Sequence, residues 1–486
     1  MSKKKSESLG GSFLSLASSK FIKYGFILLS SMLLTRFRTL REYGTYSQIT
    51  LVVQLATSIF MLGLPNSLNY FLARCDTLEE KNRFVSLYYT VNTMLSVFVG
   101  TLLVLLTPAL VRYFKNPLLT SFLFFIAVYP WTKIIISSVE NLLVVFHRTR
   151  LLIAYRISNS LLTVLAILFV KWTGLGFREY LALFLGIEVF FALLVYYFAR
   201  MNVGRLHFFF DKAMLLTILK FSLPLGLASA VGVLRMEMDK LFIGFVTDTE
   251  SLALYASAAK EMPVTMISAS FTAILLPHIS RLMKENKLSE SVKLWKDVTV
   301  LSFIINCFFA LGLFVFSREA VLFLFGRKYT EAAPVFAVYS LTYILRATYF
   351  GMILNTGGNT RTILNSSFLS LGVNAVLNVV LYYTVGFTGP AIATVLSTLC
   401  GALYLLRSTS RVTGLPFREL YPWKQSGIVL GVNAVLAFAF SRLFPLIPFP
   451  SMDWQVAGAI AAAAIWFGLD ALIFRKTIRE KWKLLR

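Results

Sequence analysis

Apolar runs of about twenty residues recur along the whole chain, and they restrict its fold more than any other feature of the sequence. An α-helix needs roughly 20 mostly apolar residues to cross the hydrocarbon of a bilayer. Charged residues and Gly or Pro breaks separate fourteen such runs, so we predict an all-α polytopic membrane protein with about fourteen transmembrane helices. These predicted spans 1 to 14 cover residues 20–36, 46–72, 84–107, 118–145, 151–171, 179–199, 214–238, 251–277, 297–316, 331–356, 363–384, 388–407, 424–444 and 453–474.

The composition excludes an ordinary soluble protein. Hydrophobic residues make up 57% of the chain and charged residues 14%, whereas soluble domains average about 45–50% apolar and roughly 25% charged residues. The basic start MSKKKSE is followed by an apolar run without a small-residue cleavage site, so we expect the first span to remain as a helix.

The placement of Lys and Arg predicts the orientation of the chain. The net charge is +24, but the basic residues stand at the ends of apolar runs, which is typical of membrane topology and not of a nucleic-acid-binding surface. Most of the 47 Lys and Arg residues fall on the cytoplasmic side if the N-terminus is cytoplasmic, including those of the loop 281–296 and of the tail RKTIREKWKLLR. We therefore expect both termini in the cytoplasm and no nucleic-acid partner.

The sequence also resembles itself at an offset near 210 residues. AVYPWTKII, which begins at Ala127, matches AVYSLTYIL, which begins at Ala337, and four other pairs have offsets of 209 to 212. The offset places spans 1–6 on spans 7–12, and because six is even, both halves enter the membrane from the same side. Such parallel repeats occur in transporters, which favours transport. We predict an N-terminal lobe, a C-terminal lobe, and two additional helices with a basic tail, at residues 1–212, 213–422 and 423–486.

Charged residues inside predicted spans are candidates for a functional site. Each costs roughly 2.5–3.5 kcal/mol at the centre of a helix on insertion scales, so it should face a cavity or a partner. Lys133 in span 4 and Arg346 in span 10 fall near the midplane at nearly equivalent places of the two halves. Lys260 and Glu261 lie in span 8, in the stretch YASAAKEMPVTM, and Pro263 should kink that span.

The remaining intramembrane charges extend this set. Span 4 has a polar stripe on one helical face, which cannot comfortably face lipid; it consists of Tyr129, Lys133, Ser137 and Glu140. For Lys133 and Arg346, an internal ion pair between helices and a binding role both remain open. Arg156 can instead extend its guanidinium to the membrane surface by snorkelling, so we leave it out of the site. The candidate substrate-binding cations are Lys260, Lys133, Arg346, Arg36 and Arg235, and the candidates for ion coupling are Glu261, Glu140 and Glu188.

Arg36 and Arg235 each allow a second interpretation. Arg36 lies with Arg38 and Arg41 at the outer end of span 1, where a solvated helix end and a cationic rim to a cavity both fit. Arg235 stands four residues before Asp239, so the two side chains could simply pair at the membrane interface.

Several stretches of the sequence resemble the polysaccharide flippases, the Wzx-type exporters of O-antigen and capsule units, whose superfamily also contains the multidrug and toxin extruders. They are REYGTYSQI, LGLPNSLNYFLAR, FSLPLGLASAVGVLRMEMDKLFIG, LALYASAAKEMPVTMISASFTAILLPHISRL and FLFGRKYTEAAPVFAVYSL, and the resemblance extends from about residue 12 to 474. These motifs indicate the superfamily, but they say less about which substrate is transported.

The resemblance implies a MATE-like flippase fold with two six-helix lobes and two further helices. It also implies an inner-membrane flippase for an undecaprenyl-diphosphate-linked oligosaccharide, with a polysaccharide polymerase and glycosyltransferases as pathway partners. On this resemblance, Lys260 is the leading candidate to bind the diphosphate, because a cation in a low-dielectric cavity binds an anion strongly. Flippases of the lipid II branch place arginines deeper in span 1, where this chain has serines in GFILLSSMLL, which argues against lipid II.

Two other classes of function remain open. A cation-coupled antiporter for small molecules or drugs belongs to the same superfamily, but it should have twelve spans and a cavity dominated by carboxylates. A membrane enzyme acting on lipid-linked sugars usually needs a sizeable extramembrane domain, whereas the predicted loops are short and carry no nucleophile and base together. The three cysteines lack metal-ligand spacing. We therefore expect a transporter without a cofactor or metal.

Overall fold

The computed structural model describes residues 9–483 and the side chains of residues 21–481. This part of the chain is helical and contains no β-strand. The helices α1 to α22 are Leu9–Phe37, Leu40–Phe60, Leu64–Phe71, Leu78–Phe114, Leu123–Ile136, Val139–Val145, Thr149–Thr173, Phe177–Val203, Lys212–Val246, Thr249–Ala258, Thr265–Lys284, Leu288–Val315, Ser317–Phe325, Ala333–Ser340, Thr342–Leu345, Met352–Thr356, Thr360–Val385, Gly389–Thr413, Phe417–Leu420, Trp423–Leu443, Met452–Ile473 and Arg475–Lys483. Four short 3₁₀ helices are Leu72–Arg74, Pro117–Phe122, Arg327–Ala332 and Phe444–Leu446.

Many of these helices are long and apolar enough to cross a membrane. Within the described residues there are eleven such helices, or twelve if α2 and the bent segment after it form one span. The prediction of an all-α polytopic membrane protein is therefore confirmed. Predicted spans 1 and 10, which correspond to α1 and to α14 with α15 and α16, lie outside this set, so the count of fourteen stays a prediction.

The helices form two compact units. The first unit contains the chain up to Glu237 together with Ile243–Ala253, and the second contains Met238–Phe242 together with the chain from Leu254 onward. The lobe boundaries expected from the repeat, at 212 and 422, stay predictions.

The core of the first unit lies where α4, α5 and α8 pack against one another. Leu68, Phe84, Leu142 and Val195 are all completely buried in it. In the second unit, α12 packs against α11, α14 and α20, while α17 packs along α18. Trp295 and Trp466 are the largest side chains that are fully buried there. These cores hold in place the helix ends and breaks that carry the charged residues.

The second span of each half is broken. α2 ends at Phe60, and Leu62 and Gly63 adopt left-handed backbone with φ of 49° and 70° before α3 begins at an angle of 45°. α10 ends at Ala258, and α11 begins only at Thr265. Pro263 lies in this second gap, where it lacks a backbone N–H and disfavours helix at the residue before it.

The fourth span of each half is broken as well. α5 ends at Ile136, and the hydroxyls of Ser137 and Ser138 donate to the carbonyls of Ile134 and Ile135 at 2.6 and 2.7 Å. Such local hydrogen bonds compete with the helical ones and interrupt or bend the helix. In the second unit, the corresponding span is divided into α14, α15 and α16.

Candidate functional site

In the first unit, the cation predicted near the midplane belongs to an ion pair. The Lys133 ammonium on α5 donates to the Glu188 carboxylate on α8 at 3.2 Å, and Asn159 on α7 donates to the other Glu188 oxygen at 3.3 Å. The ring centre of Tyr129 lies 4.7 Å from the Lys133 ammonium. The Glu188 side chain is 5% exposed and that of Lys133 is 39% exposed. Glu188 is thus enclosed by its partners, while Lys133 also faces open space.

A second ion pair lies beside the first. The Arg156 guanidinium on α7 donates to the Glu140 carboxylate on α6, and the Arg156 side chain is only 7% exposed. The snorkelling interpretation of Arg156 is therefore wrong, because its guanidinium is buried against an acid. The single polar face expected in span 4 is also divided, because the break before α6 directs Lys133 towards α8 and Glu140 towards α7.

Lys23 completes this group, and sequence reasoning missed it. It is exposed on α1, which packs against α7, and it interacts electrostatically with all four charged residues of the two ion pairs. We call Lys23, Lys133, Glu140, Arg156 and Glu188 the first-unit charge cluster. It contains three cations and two carboxylates. The position of Lys23 inside an apolar run was the signal that could have found it.

In the second unit, the charged stretch of span 8 lies in the gap between α10 and α11. The Arg346 guanidinium, at the C-terminal cap of α15, donates to the Glu261 carboxylate, with side chains 23% and 31% exposed. Lys260 is half-buried, and its ammonium has no hydrogen-bond or ion-pair partner among the residues that the structure describes. The two adjacent charges thus differ, because Glu261 is paired with Arg346 whereas Lys260 has no ionic partner among the described residues.

The other two predicted cations lie apart from these ion pairs in the sequence. Arg36 is exposed in the last turn of α1. Arg235 is half-buried in α9, two residues before Glu237, whose carboxylate accepts a hydrogen bond from Gln54 at 3.3 Å. Their roles as substrate-binding residues stay predictions.

The second unit also contains a buried polar network that sequence reasoning did not identify. The Asp239 carboxylate accepts hydrogen bonds from the hydroxyls of Tyr255 at 3.1 Å and Thr394 at 3.5 Å. Asn374 donates to Thr394, and Asn378 donates to Asn374. Asn374 and Asn378 are four residues apart on α17, which is the signal that could have predicted one polar face. The network thus surrounds the buried Asp239 carboxylate with hydroxyl and amide groups.

These groups supply charges and oxygen atoms that can bind ions. Among the described residues, no three or more His, Cys, Asp and Glu side chains are placed to hold a metal ion. The oxygen atoms of the Asp239 network are of the kind that hard cations prefer. The cations Lys23, Lys133 and Lys260 can each attract an anion, because ammonium groups bind phosphate as point charges.

Comparison with known proteins identifies the family. Residues 33–334 match the family model described as "Polysaccharide biosynthesis protein". The chain belongs to this family. Two curated relatives are a probable lipid II flippase MurJ of Rickettsia prowazekii, 23% identical over 180 residues, and a probable low-salt glycan biosynthesis flippase Agl15 of Haloferax volcanii, 27% identical over 175 residues. Each match covers 35% of this chain and only 35% and 37% of the respective relatives.

Solved structures show the same fold. The lipid II flippase MurJ in an inward closed conformation is 15% identical, with a TM-score of 0.76 over 96% of this chain and 100% of the other. A multidrug resistance transporter of the MATE family in an inward-facing conformation is 14% identical, with a TM-score of 0.64 over 83% of this chain and 98% of the other. The MATE-like fold and the resemblance to polysaccharide flippases are thus confirmed.

Proposed function

We propose that this multi-pass membrane protein is a flippase and not an enzyme. Its substrate is an oligosaccharide linked to undecaprenyl diphosphate, such as a repeat unit of O-antigen, capsule or exopolysaccharide. It moves this substrate from the cytoplasmic to the outer face of the bacterial inner membrane by alternating access. Both termini lie in the cytoplasm, and a polymerase and glycosyltransferases of the same pathway are its partners.

The observation that carries this proposal is the position of Lys260 in a broken span. Non-helical backbone within a membrane is tolerated only where it is buried in protein or lines a water-filled cavity. Broken helices mark the substrate sites of several transporter families. Lys260 stands in such a break, half-buried and without an ionic partner among the described residues. A cation in this position requires an anion, and the diphosphate of a lipid-linked sugar supplies one.

The neighbouring charges have supporting roles in this proposal. The Arg346–Glu261 pair holds the break between α10 and α11 in one conformation and thereby positions Lys260. Lys133, which is partly exposed, adds to the attraction for an anion, and Arg36 and Arg235 extend it along the pathway. Glu140, Glu188, Glu261 and the buried Asp239 are the carboxylates that could couple transport to protons or sodium ions.

The choice of an oligosaccharide other than lipid II is supported by span 1. Where flippases of the lipid II branch place arginines, this chain has Ser31, whose hydroxyl shares a 3.0 Å hydrogen bond with that of Tyr43. Ser31 is buried. It therefore joins two helices and offers no cation to a pyrophosphate.

The proposal is tested by reconstituting the protein in liposomes with a fluorescent oligosaccharide on undecaprenyl diphosphate. We expect Lys260→Gln to reduce flipping at least tenfold, while Lys260→Arg retains most of it, because a unit charge in a partly desolvated site contributes more than about 1.4 kcal/mol to anion binding. Lys284→Gln, an exposed cation at the end of the neighbouring helix α11, is the matched control. Binding of the same glycan on a monophosphate carrier should be weakened less by Lys260→Gln than binding of the diphosphate form.

Three outcomes would contradict the proposal. Equal loss in Lys260→Gln and Lys284→Gln would show a general charge effect. Export of cationic dyes by the reconstituted protein, with no movement of the lipid-linked sugar, would favour a drug antiporter. Chemical conversion of the lipid-linked sugar would favour an enzyme.

A further inference from the structure

A cationic pocket lies in the second unit, away from the broken span 8. Its volume is about 1000 Å³. It forms where the first turns of α12, the segment around α19, the start of α20 and the helix α22 meet. Its charged lining residues are Lys293, Lys296, Asp297, Arg418, Glu419, Lys424 and Lys481.

The walls of this pocket are held by specific contacts. The Lys296 ammonium donates to the backbone carbonyl of Glu419 at 2.9 Å, and the Trp423 indole donates to the carbonyl of Phe417 at 3.3 Å. The pair Lys481–Asp297 joins α22 to α12. These contacts connect all the segments that form the pocket, so this open pocket has walls that are joined to one another.

The charge of the pocket selects an anion. Five of its lining residues are Lys or Arg and two are Asp or Glu. Lys481 neutralises Asp297. Four cations and one carboxylate, that of Glu419, then remain in the lining. Lys293, Arg418 and Lys424 are all exposed. These three side chains are therefore free to turn towards a phosphate, which Arg and Lys bind through charge-assisted hydrogen bonds.

The pocket lies at the end of membrane spans, which points to a lipid as the source of that phosphate. Trp423 is the first residue of α20, and the segment Trp423–Leu446 is apolar enough to cross the membrane. The Tyr421 ring centre lies 4.8 Å from that of Trp423. Trp and Tyr are enriched at the level of the lipid headgroups. A soluble anion would require neither the aromatic side chains nor this position at the end of a span.

We propose that this pocket binds the phosphate headgroup of an anionic membrane lipid such as phosphatidylglycerol or cardiolipin. Basic pockets between membrane helices bind such headgroups in other membrane proteins. Lys293, Arg418 and Lys424 contact the phosphate oxygens, and the acyl chains lie along the apolar surface of α20. The bound lipid joins α12, α20 and α22.

This proposal does not depend on which substrate the protein transports. Its test measures lipid binding to the whole purified protein in detergent, by native mass spectrometry and by the rise in unfolding temperature on adding lipid. The triple variant Lys293→Gln, Arg418→Gln, Lys424→Gln removes the exposed cations of the pocket. The matched control Lys284→Gln, Arg475→Gln, Lys476→Gln removes three exposed cations from α11 and α22 that do not line it.

We expect cardiolipin and phosphatidylglycerol to bind the wild-type protein and to raise its unfolding temperature. The pocket variant should lose at least tenfold in affinity, because each basic residue near a membrane surface attracts anionic lipid by about 1 kcal/mol, while the control variant should stay within twofold. Both variants should unfold at the wild-type temperature without lipid, since all six side chains are exposed. The single variant Arg418→Gln should also lose affinity for anionic lipid, but by less than the triple variant.

Three results would overturn the proposal. Equal losses in the two triple variants would show a diffuse attraction between the basic surface and anionic lipid. Equal binding of zwitterionic phosphatidylcholine would show that the charge of the headgroup is not recognised. Displacement of the lipid by millimolar inorganic phosphate would assign the pocket to a soluble anion.

Discussion

The broken second spans of the two halves begin at equivalent points and then differ. α2 begins at Leu40 and α10 at Thr249, an offset close to that of the sequence repeat. α2 continues for 21 residues, about 31 Å at roughly 1.5 Å per residue, which is the thickness of the hydrocarbon. α10 continues for only 10 residues, or about 15 Å. The first break thus comes late in its span, after 21 helical residues, while the second comes after only 10.

On the proposed function, the first break is structural and the second carries the substrate site. At the first break, backbone packs closely on backbone: a Cβ added to Gly63 would lie 2.4 Å from the carbonyl oxygen of Ser222. At the second, the gap presents Lys260 and Glu261 and leaves both half-buried. The same repeat unit has therefore been used once to pack two helices and once to place charges in the membrane.

The largest expected effect comes from filling the packed break. A Cβ on Gly226 of α9 would lie 2.3 Å from the carbonyl carbon of Leu62. Backbone cannot move away as a side chain can, so Gly226→Val should destabilise the first unit by roughly 3 kcal/mol or more. The control is Gly232→Val on the same helix, where no atom lies within 4 Å of the added Cβ. Unfolding temperatures in detergent measure both variants, and a smaller effect at Gly226 would contradict the close packing.

An intermediate effect is expected from the charge pairs. Arg346→Gln leaves the Glu261 carboxylate without its partner, and the desolvation of an unpaired group should cost about 1–3 kcal/mol of stability. The double variant Arg346→Gln, Glu261→Gln should recover most of this loss, because both charges are then removed.

Lys133→Gln measures the cost of an unpaired carboxylate in the first unit, where Asn159 still donates to Glu188. We expect its effect to be about half as large, because a remaining donor reduces the cost of an unpaired carboxylate. Thermal unfolding with each variant beside the wild-type protein measures the comparison. A larger loss in Lys133→Gln than in Arg346→Gln would reverse this order.

The smallest effect on stability is expected at the prolines of the two breaks. Pro263→Ala restores a backbone N–H and should change stability by less than about 1 kcal/mol, while it reduces transport severalfold by extending a helix through Lys260. Pro65→Ala changes a proline in the first turn of α3, where proline is well tolerated, so transport should be unchanged. Equal transport in both variants would show that the conformation of the second break has no special role.

The sequence was sufficient to predict most of the candidate membrane spans, because the length and hydrophobicity of each apolar run report a requirement of the bilayer. It also located Lys133, Glu140, Glu188, Lys260, Glu261 and Arg346 within these spans. Their partners could not be predicted, because the pairing of Lys133 with Glu188 depends on how α5 packs against α8. Lys23 was missed because it lies near the start of predicted span 1, whereas α1 begins at Leu9 and places it in the middle of the helix.

The pairing of Glu261 with Arg346 has a consequence for how the protein is made. The two residues are 85 positions apart in the chain, so α10 and α11 leave the ribosome well before Arg346 is synthesised. Until then, two adjacent uncompensated charges would oppose entry into lipid by roughly 2.5–3.5 kcal/mol each. We therefore expect this segment to remain beside the translocon until α15 emerges. The second unit would then enter the bilayer as an assembled group of helices, rather than as successive independent insertions.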